Sequence, residues 1–185
     1  SFRRHPEWFP SGYARVFDAA VGHAVTVADA IITISQASAQ EIAEVYPRSA
    51  DKIWAVPLGA PVVEKEMIER RSVNEGAAPF LLYVGNFGQR KNLGRLVEAF
   101  ATIKRLQGFE EVCLVLAGGG NPRLVESVAR RHGVADSVHF PGRVSDSELA
   151  ELFVAARAVA YVSLYEGFGL PIAEAMAYGV PVVAS

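Results

Sequence analysis

Residues 165–185, YEGFGLPIAEAMAYGVPVVAS, form a glycine-rich turn followed by a run of small apolar residues and a Val-rich segment. Gly167 and Gly169 permit backbone conformations that other residues avoid, and Pro171 suits the first position of a helix. The segment 180–184 has the composition of a strand that is buried on both faces. This stretch therefore predicts one loop–helix–strand unit of an α/β fold.

The same alternation extends upstream to residue 80. Strands are predicted at 80–84, 112–117, 137–140, 158–162 and 180–184. Helices are predicted between them at 92–107, 121–132, 146–156 and 171–178. Apolar strands separated by helices indicate a parallel sheet covered on both faces, that is, a Rossmann-like doubly wound architecture.

The first third of the chain has a different pattern. We predict a helix at 12–28, a strand at 30–35, a helix at 39–46 capped by Ser35 or Ser38, and a strand at 52–57. The charged and Gly/Pro-rich segment that follows is typical of a linker. The sequence thus predicts three regions: 1–56, the linker 57–79, and an α/β domain at 80–185. The abrupt start and the final apolar strand give the expectation of a chain truncated at both ends.

Composition narrows the function class. The chain has 185 residues, 51% of them apolar, and a formal net charge of −2, which does not favour a nucleic-acid partner. Its one cysteine, Cys113, excludes an intrachain disulfide, and we expect it to be a buried strand residue in a protein of the reducing cytoplasm. No apolar run reaches the roughly 18 residues of a membrane span.

In open parallel sheets, ligands bind in the loops that follow the carboxyl ends of the strands. Four such loops are predicted, and glycines and basic residues gather in them: 85–92, 118–122, 141–146 and 163–171. The sequence therefore places a binding site at this edge of the sheet.

The loop 163–171 and the helix predicted after it carry two carboxylates into an apolar environment, Glu166 in the loop and, eight positions later, Glu174 in the helix. A helix that begins near Pro171 would present free N–H groups to an anion, for which phosphate is the expected candidate. One alternative for Glu174 is a first-turn glutamate that reaches solvent. The other is a carboxylate that accepts hydrogen bonds from a polyol such as ribose. A purely structural turn also remains open for the glycines.

Two adjacent cations, Arg90 and Lys91, follow the first strand of the sheet. Because cations oppose the dipole of a helix N-terminus, their position before a helix favours a role in holding a diphosphate over a role in helix stability. Asn121 is a predicted N-cap, and Ser145 with Glu148 forms a predicted capping box. His132 and His139 have no metal-ligand spacing, so we expect no metal site.

Several segments of the sequence resemble the retaining glycosyltransferases of family 4, which have the GT-B fold. These segments are ADAIITISQASAQEI, LLYVGNFGQRKNLGRLVEAF, LVLAGGG, VHFPGRVSDSELAELFVAARAVAYVS and the block with the two glutamates. The opening RHPEWFP is similar to the mannosyltransferase-like subgroup. The resemblance covers nearly the whole chain. It implies that 1–56 is the end of an acceptor-side N-terminal domain and that 80–185 is an incomplete donor domain.

The resemblance implies a role for each motif position. Glu166 would contact hydroxyls of the donor sugar and, with Lys91 and Arg90, form the catalytic set, while Glu174 would bind the ribose. The remaining positions assigned to donor binding are Gly85, Asn86, Arg143, Val144, Gly167, Phe168, Gly169 and Leu170. Arg143 and Val144 would flank the base, and the amides of Phe168, Gly169 and Leu170 would face the diphosphate. Many members have arginine at the position of Asn86, so either Asn86 or Arg90 replaces the usual diphosphate arginine.

The implied substrates are a nucleotide sugar, with GDP-mannose favoured over UDP-glucose or UDP-N-acetylglucosamine, and a saccharide or lipid-linked saccharide acceptor. No cofactor or metal is implied. Contact with the inner membrane would be peripheral, through the N-terminal domain.

Three alternatives are weighed against this interpretation. The chain could bind a nucleotide sugar without transferring it. An NAD-dependent enzyme is disfavoured because GNFGQR lacks the GxGxxG spacing and no acidic residue follows the second strand. A hydrolase that uses the two glutamates as acid and base is disfavoured because a helix start beside a phosphate should keep Glu174 ionised.

Overall fold

A computed structural model of the protein describes residues 3–10, 12–70 and 78–185. The chain forms two compact units. The first contains residues 1–59 and 165–169, and the second contains residues 60–164 and 170–185. Residues 165–169 therefore group with the first unit, although the residues on both sides of them group with the second.

The first unit contains helix α1 (Tyr13–Val27), strand β1 (Ile31–Thr33), helix α2 (Gln36–Val45) and strand β2 (Ile53–Ala55). The two strands pair in parallel, with Ile32 opposite Trp54. These are the elements that the sequence predicts, although both strands are shorter. Of the two predicted caps, Ser35 is the N-cap of α2, and its side chain accepts a hydrogen bond from the Ser38 amide at 3.0 Å.

The second unit begins with helix α3 (Lys65–Arg70), which lies within the range that the sequence assigned to a linker. Arg70 forms a bidentate ion pair with Glu151 at 2.9 and 3.0 Å. Part of that range is therefore helical and is tied to the second unit. Residues 71–77 of the predicted linker lie outside the described residues.

The remaining elements alternate as predicted. The strands are β3 (Phe80–Val84), β4 (Cys113–Ala117), β5 (Val138–Gly142), β6 (Ala158–Tyr161) and β7 (Val182–Ala184). The helices are α4 (Leu93–Ile103), α5 (Arg123–Arg131), α6 (Asp146–Ala155) and α7 (Leu170–Ala177). The predicted boundaries extend too far at the end of α4, where residues 104–107 form turns, and at the start of β7, where Pro181 precedes the strand.

The five strands form one parallel sheet in the order β5-β4-β3-β6-β7. β3 therefore lies at the centre, with β4 on one side and β6 on the other. This order confirms the doubly wound architecture expected from the sequence. It also creates a topological switch point between β3 and β6, where successive crossovers leave in opposite directions.

Each face of the sheet has its own apolar core because neighbouring residues of a strand point to opposite faces. Tyr83, with Leu96 and Phe100 of α4, belongs to one cluster, and Leu82, with Phe153 of α6 and Ala175 of α7, belongs to the other. The sheet is thus covered by helices on both sides, and its carboxyl edge is where the loops gather.

Three local expectations have different outcomes. The capping box of α6 is confirmed, since Ser145 accepts from the Glu148 amide at 3.3 Å and its own amide donates to the Glu148 carboxylate at 2.7 Å. Asn121 is not the N-cap of α5, which is Pro122, but its side chain accepts a hydrogen bond from the Arg123 amide. Cys113 is only half-buried, because it is the first residue of its strand.

Candidate functional site

The loops that follow β3 and β6 meet at the switch point of the second unit. The Leu164 amide, after β6, donates a hydrogen bond to the Arg90 carbonyl oxygen at 2.8 Å. Arg90 and Lys91 lie in a single 3-10 turn, Gln89–Lys91, which is closed by a hydrogen bond from the Lys91 amide to the Gly88 carbonyl oxygen at 2.9 Å. The predicted pair of cations thus lies at the switch point of the sheet, as a turn before α4.

Lys91 is a buried cation. Only 6% of its surface is exposed, and its Nζ lies 5.4 Å from the centroid of the Tyr161 ring at the end of β6. Moving an ammonium group out of water is costly, so proteins seldom do so without a compensating interaction. A cation held in a region of low dielectric interacts strongly with an anion that approaches it.

Glycines bring the loops after β3, β4 and β5 into backbone contact. The Gly85 amide donates to the Ala117 carbonyl oxygen at 3.0 Å, and the Gly118 amide donates to the Gly142 carbonyl oxygen at 2.8 Å. Gly118 has a φ of 145°, and a Cβ at this position would overlap the Gly85 carbonyl oxygen. The carboxyl edge of these strands is therefore a surface of bare backbone that a ligand can approach closely.

A cavity of about 340 Å³ lies above this glycine surface. Its lining includes four predicted site residues and two further glycines: Gly85, Asn86, Arg143, Val144, Gly118 and Gly119. The Tyr83 hydroxyl donates to the Asn86 carbonyl oxygen at 2.8 Å, which fixes the start of the loop. The volume lies within the range typical of small-molecule sites, about 300–1,000 Å³.

Arg143 follows β5 and lies over Gly119, where an added Cβ would be 2.9 Å from the Arg143 Nε. The guanidinium group is exposed, and together with Val144 it offers a cation and an apolar surface at one side of the cavity. A planar guanidinium can hydrogen-bond or stack on a flat polar ligand.

Two larger cavities lie elsewhere, so size alone does not identify the site. One, of about 530 Å³, is in the first unit beside Arg3, Tyr46 and Lys52. Two of its cations already have partners, since Arg3 pairs with Asp18 and Lys52 donates to the Ala28 carbonyl oxygen at 2.7 Å. The other, of about 570 Å³, lies beside Phe80 and α6 and shares Val144 with the smaller cavity, but the described residues that line it include no glycine and no cation.

Glu174 is half-buried in α7, beyond the first turn of the helix. The helix begins at Leu170 rather than at Pro171, so the alternative of a first-turn glutamate is wrong. Burial raises the pKa of the Glu174 carboxyl above its ordinary value of 4.5, and the charge of Asp146 raises it further. Desolvation therefore shifts the pKa of Glu174 in the direction opposite to the one that a helix start alone would give.

The structure separates the predicted site residues between the two units. The second unit contains Gly85, Asn86, Arg90, Lys91, Arg143, Val144, Leu170 and Glu174. Glu166, Gly167, Phe168 and Gly169 lie in the first.

Within the first unit, the Gly167 carbonyl oxygen accepts hydrogen bonds from the Ser35 and Ser38 hydroxyls. Sequence reasoning considered these serines only as helix caps. A serine pair at a predicted N-cap gives no indication of a partner more than a hundred residues away, so the sequence contains no pattern that would have revealed this contact.

Among the residues that the structure describes, no helix is both long and apolar enough to span a membrane. The same residues contain no cluster of three or more His, Cys, Asp or Glu side chains that could hold a metal ion.

Comparison with known proteins identifies the family of this chain. Residues 64–185 match the glycosyl transferases group 1 family. O-antigen chain mannosyltransferase B of Escherichia coli is 30% identical over 195 residues, which cover 97% of this chain and 49% of that protein. MMP alpha-(1->4)-mannosyltransferase of Mycolicibacterium hassiacum is 33% identical over 155 residues, covering 84% of this chain and 36% of that protein.

A solved structure shows the same fold. Anabaena HepE in complex with UDP and glucose superposes with a TM-score of 0.76 at 26% identity, over 97% of this chain and 49% of that one. The α/β fold with a parallel sheet of GT-B glycosyltransferases is thereby confirmed. This chain spans 49% of the length of the Escherichia coli relative and of HepE, and 36% of that of the Mycolicibacterium relative. Since the family match covers more than half of the sequence, the chain belongs to the glycosyl transferases group 1 family.

Proposed function

We propose that this chain holds the donor of a retaining glycosyltransferase, which transfers mannose from GDP-mannose to a saccharide or a lipid-linked saccharide. The choice of mannose is supported by the two mannosyltransferase relatives. UDP-glucose and UDP-N-acetylglucosamine are the alternative donors. An enzyme of this kind acts in the cytoplasm, and a lipid-linked acceptor would bring it into peripheral contact with the inner membrane.

The observation that carries this proposal is that the loop after β3 contains both Gly85 and Asn86, which line the cavity with the glycine floor, and the buried Lys91 at the switch point. A diphosphate needs a fixed cation and close backbone approach, and these two features supply both. Lys91 and Arg90 would neutralise the diphosphate as it departs. The loop amides of Phe168, Gly169 and Leu170 would add hydrogen bonds to it.

The remaining assignments follow the chemistry of a nucleotide sugar. Arg143 and Val144, with Gly85 and Asn86, would hold the base in the cavity of about 340 Å³. Glu174 would accept hydrogen bonds from the ribose hydroxyls, which would relieve the desolvation of its carboxylate. Glu166 and Gly167 would lie at the sugar. Catalysis would then consist of stabilising charge on the leaving diphosphate and of positioning the reactants, without a cofactor.

A second candidate is a nucleotide-sugar-binding module that is inactive as this chain alone. It is favoured by the length, since the chain spans less than half of the two mannosyltransferase relatives and of HepE. Transfer activity in a longer protein that contains this sequence, and none in the 185 residues, would support it.

Thermal unfolding with nucleotides tests the donor site. At a hundred times its Kd, a ligand stabilises the folded state by about 2.7 kcal/mol, which corresponds to a rise in Tm of about 5–10 °C for a chain of this size. We expect GDP to produce such a rise and Glu174→Ala to remove most of it. Glu98→Ala, at an exposed position of α4, is the matched control and should retain the rise.

The informative comparison is between ligands. GDP, UDP and guanosine should be tested in parallel, so that both the base and the diphosphate are assessed. A folded protein whose Tm rises with no nucleoside diphosphate would contradict the proposed function.

A further inference from the structure

The segment 165–169 is attached to the first unit through the Gly167 carbonyl group. Ser35 donates a hydrogen bond to this oxygen, and Ser38 donates to it at 3.3 Å. The two hydroxyls are 3.1 Å apart, so they converge on one acceptor. A Cβ at Gly167 would lie 3.2 Å from the Ser38 Oγ, which leaves little space for a larger residue.

A second attachment lies two residues earlier. The His5 and Trp8 rings stack with their centroids 3.8 Å apart, and the Tyr165 ring is tilted against both, 6.4 Å from each. The segment is therefore held on both sides of Glu166, by aromatic rings before it and by hydroxyls after it.

Capping of α2 does not require this arrangement. Ser35 caps the helix by accepting from the Ser38 amide, and the Ser38 side chain has no part in that bond. Both hydroxyls nevertheless point at a carbonyl group 129 or more residues away in sequence. The Gly167 carbonyl group belongs to the peptide that follows Gly167, so Glu166 lies one residue before it. Because the Tyr165 ring is held before Glu166 and this peptide is held after it, the backbone of Glu166 is restrained at both ends.

We propose that Ser35 and Ser38 are positioning residues, which orient Glu166 towards the donor sugar by fixing the Gly167 carbonyl group. This inference rests on the proposed function, in which Glu166 contacts sugar hydroxyls. The serines act through Glu166 and do not touch the substrate themselves.

Substitutions at these positions separate the two roles of the serines. Ser35→Asp keeps an N-cap acceptor for the Ser38 amide but cannot donate to the Gly167 carbonyl oxygen, which its carboxylate would repel. Ser35→Thr keeps both the acceptor and the donor and is the matched control. Ser38→Ala removes the second donor and leaves the capped amide in place.

The measurement is the ratio of the Kd values for GDP and GDP-mannose, by calorimetric titration, because this ratio isolates the contribution of the sugar. The same pair is run with UDP and UDP-glucose. We expect Glu166→Ala to lower the ratio about tenfold, as for the loss of one charge-assisted hydrogen bond, and Ser35→Asp to lower it by a similar factor. Ser38→Ala should lower it less, and Ser35→Thr should leave it within about twofold of the wild type.

The double variant Ser35→Asp/Glu166→Ala decides whether the serine acts through the glutamate. If it does, the double variant has the same ratio as Glu166→Ala alone, since a misplaced glutamate and an absent one are equivalent. A general loss of stability would not produce this coupling.

Three results would overturn the inference. It is overturned if Ser35→Asp and Glu166→Ala lower the ratio of Kd values by independent factors that multiply in the double variant. It is also overturned if Ser35→Asp leaves this ratio unchanged. Both outcomes leave the proposed function intact. A folded wild-type protein that binds neither GDP nor UDP would overturn the proposed function, and the inference with it.

Discussion

Replacing Lys91 with methionine tests the cation at the switch point. Methionine keeps most of the volume of the side chain and removes its charge. Because the side chain is only 6% exposed, water and salt screen its charge weakly. We therefore expect the loss of this charge to weaken the free energy of diphosphate binding by about 1.5–3 kcal/mol, which is the range for a hydrogen bond to a charged group. This corresponds to a rise of about 10- to 150-fold in Kd.

The effect on folding should be smaller than the effect on binding. The substitution removes a cation 5.4 Å from the Tyr161 ring, an interaction of about 0.5–2 kcal/mol, but it also removes the cost of burying an ammonium group. These two terms have opposite signs and partly cancel in the free energy of unfolding of the ligand-free protein.

Calorimetric titration with GDP and with guanosine measures the effect, and UDP with uridine covers the other base. Lys91→Met should raise the Kd of the diphosphate and leave that of the nucleoside nearly unchanged. The titrations are run at about 0.05 and 0.5 M salt, where the Debye screening length is about 14 and 4 Å, and the result should be the same at both. Lys65→Met is the control, since that side chain is 84% exposed and pairs only across one helix turn with Glu69. Equal weakening of nucleoside and diphosphate would refute the phosphate role of Lys91.

Three further predictions concern stability. Gly118→Ala should lower the free energy of unfolding by about 3–5 kcal/mol, because its methyl group would meet the Gly85 backbone. Gly108→Ala, where φ is 87° and the space around the residue is open, should lower it by about 1–2 kcal/mol, and urea unfolding compares the two variants. Glu174→Gln should be more stable than the wild type at pH 7 and equal to it below pH 4.5. The reason is that the pKa of this carboxyl is raised in the folded state, so the wild type loses stability as pH rises from 4.5 through that pKa; unfolding midpoints across this range test the direction of the difference. Ser145→Ala should cost about 0.5–2 kcal/mol by removing the capping box of α6, and an unchanged unfolding midpoint would contradict this.

The fold of the second unit could be predicted because its determinants are local. Apolar strands such as 80–84 are buried whichever neighbour they pair with, and the helices between them show their apolar faces in the sequence. The carboxyl-end location of the loops follows from this alternation. The positions of Gly85, Asn86, Lys91 and Arg143 at one edge of the sheet were therefore predictable.

The burial of Lys91 and the raised pKa of Glu174 could not be predicted, because both depend on neighbours brought by other elements. Tyr161 approaches Lys91 only because β6 pairs with β3, and Asp146 affects Glu174 only because α6 and α7 cover the same face of the sheet. Spacing along the chain contains neither distance.

The sequence alone determined the order of the α/β elements, the capping of α2 and α6, and the loops in which the candidate donor residues lie. The tertiary structure alone decided the strand order with its switch point, the contact between the Gly85 and Gly118 backbones, and the attachment of Gly167 to Ser35 and Ser38. The physical reason is the distance along the chain over which each interaction acts. Periodicity and capping act over a few residues, whereas strand pairing and a hydrogen bond across 132 residues exist only after the chain has folded.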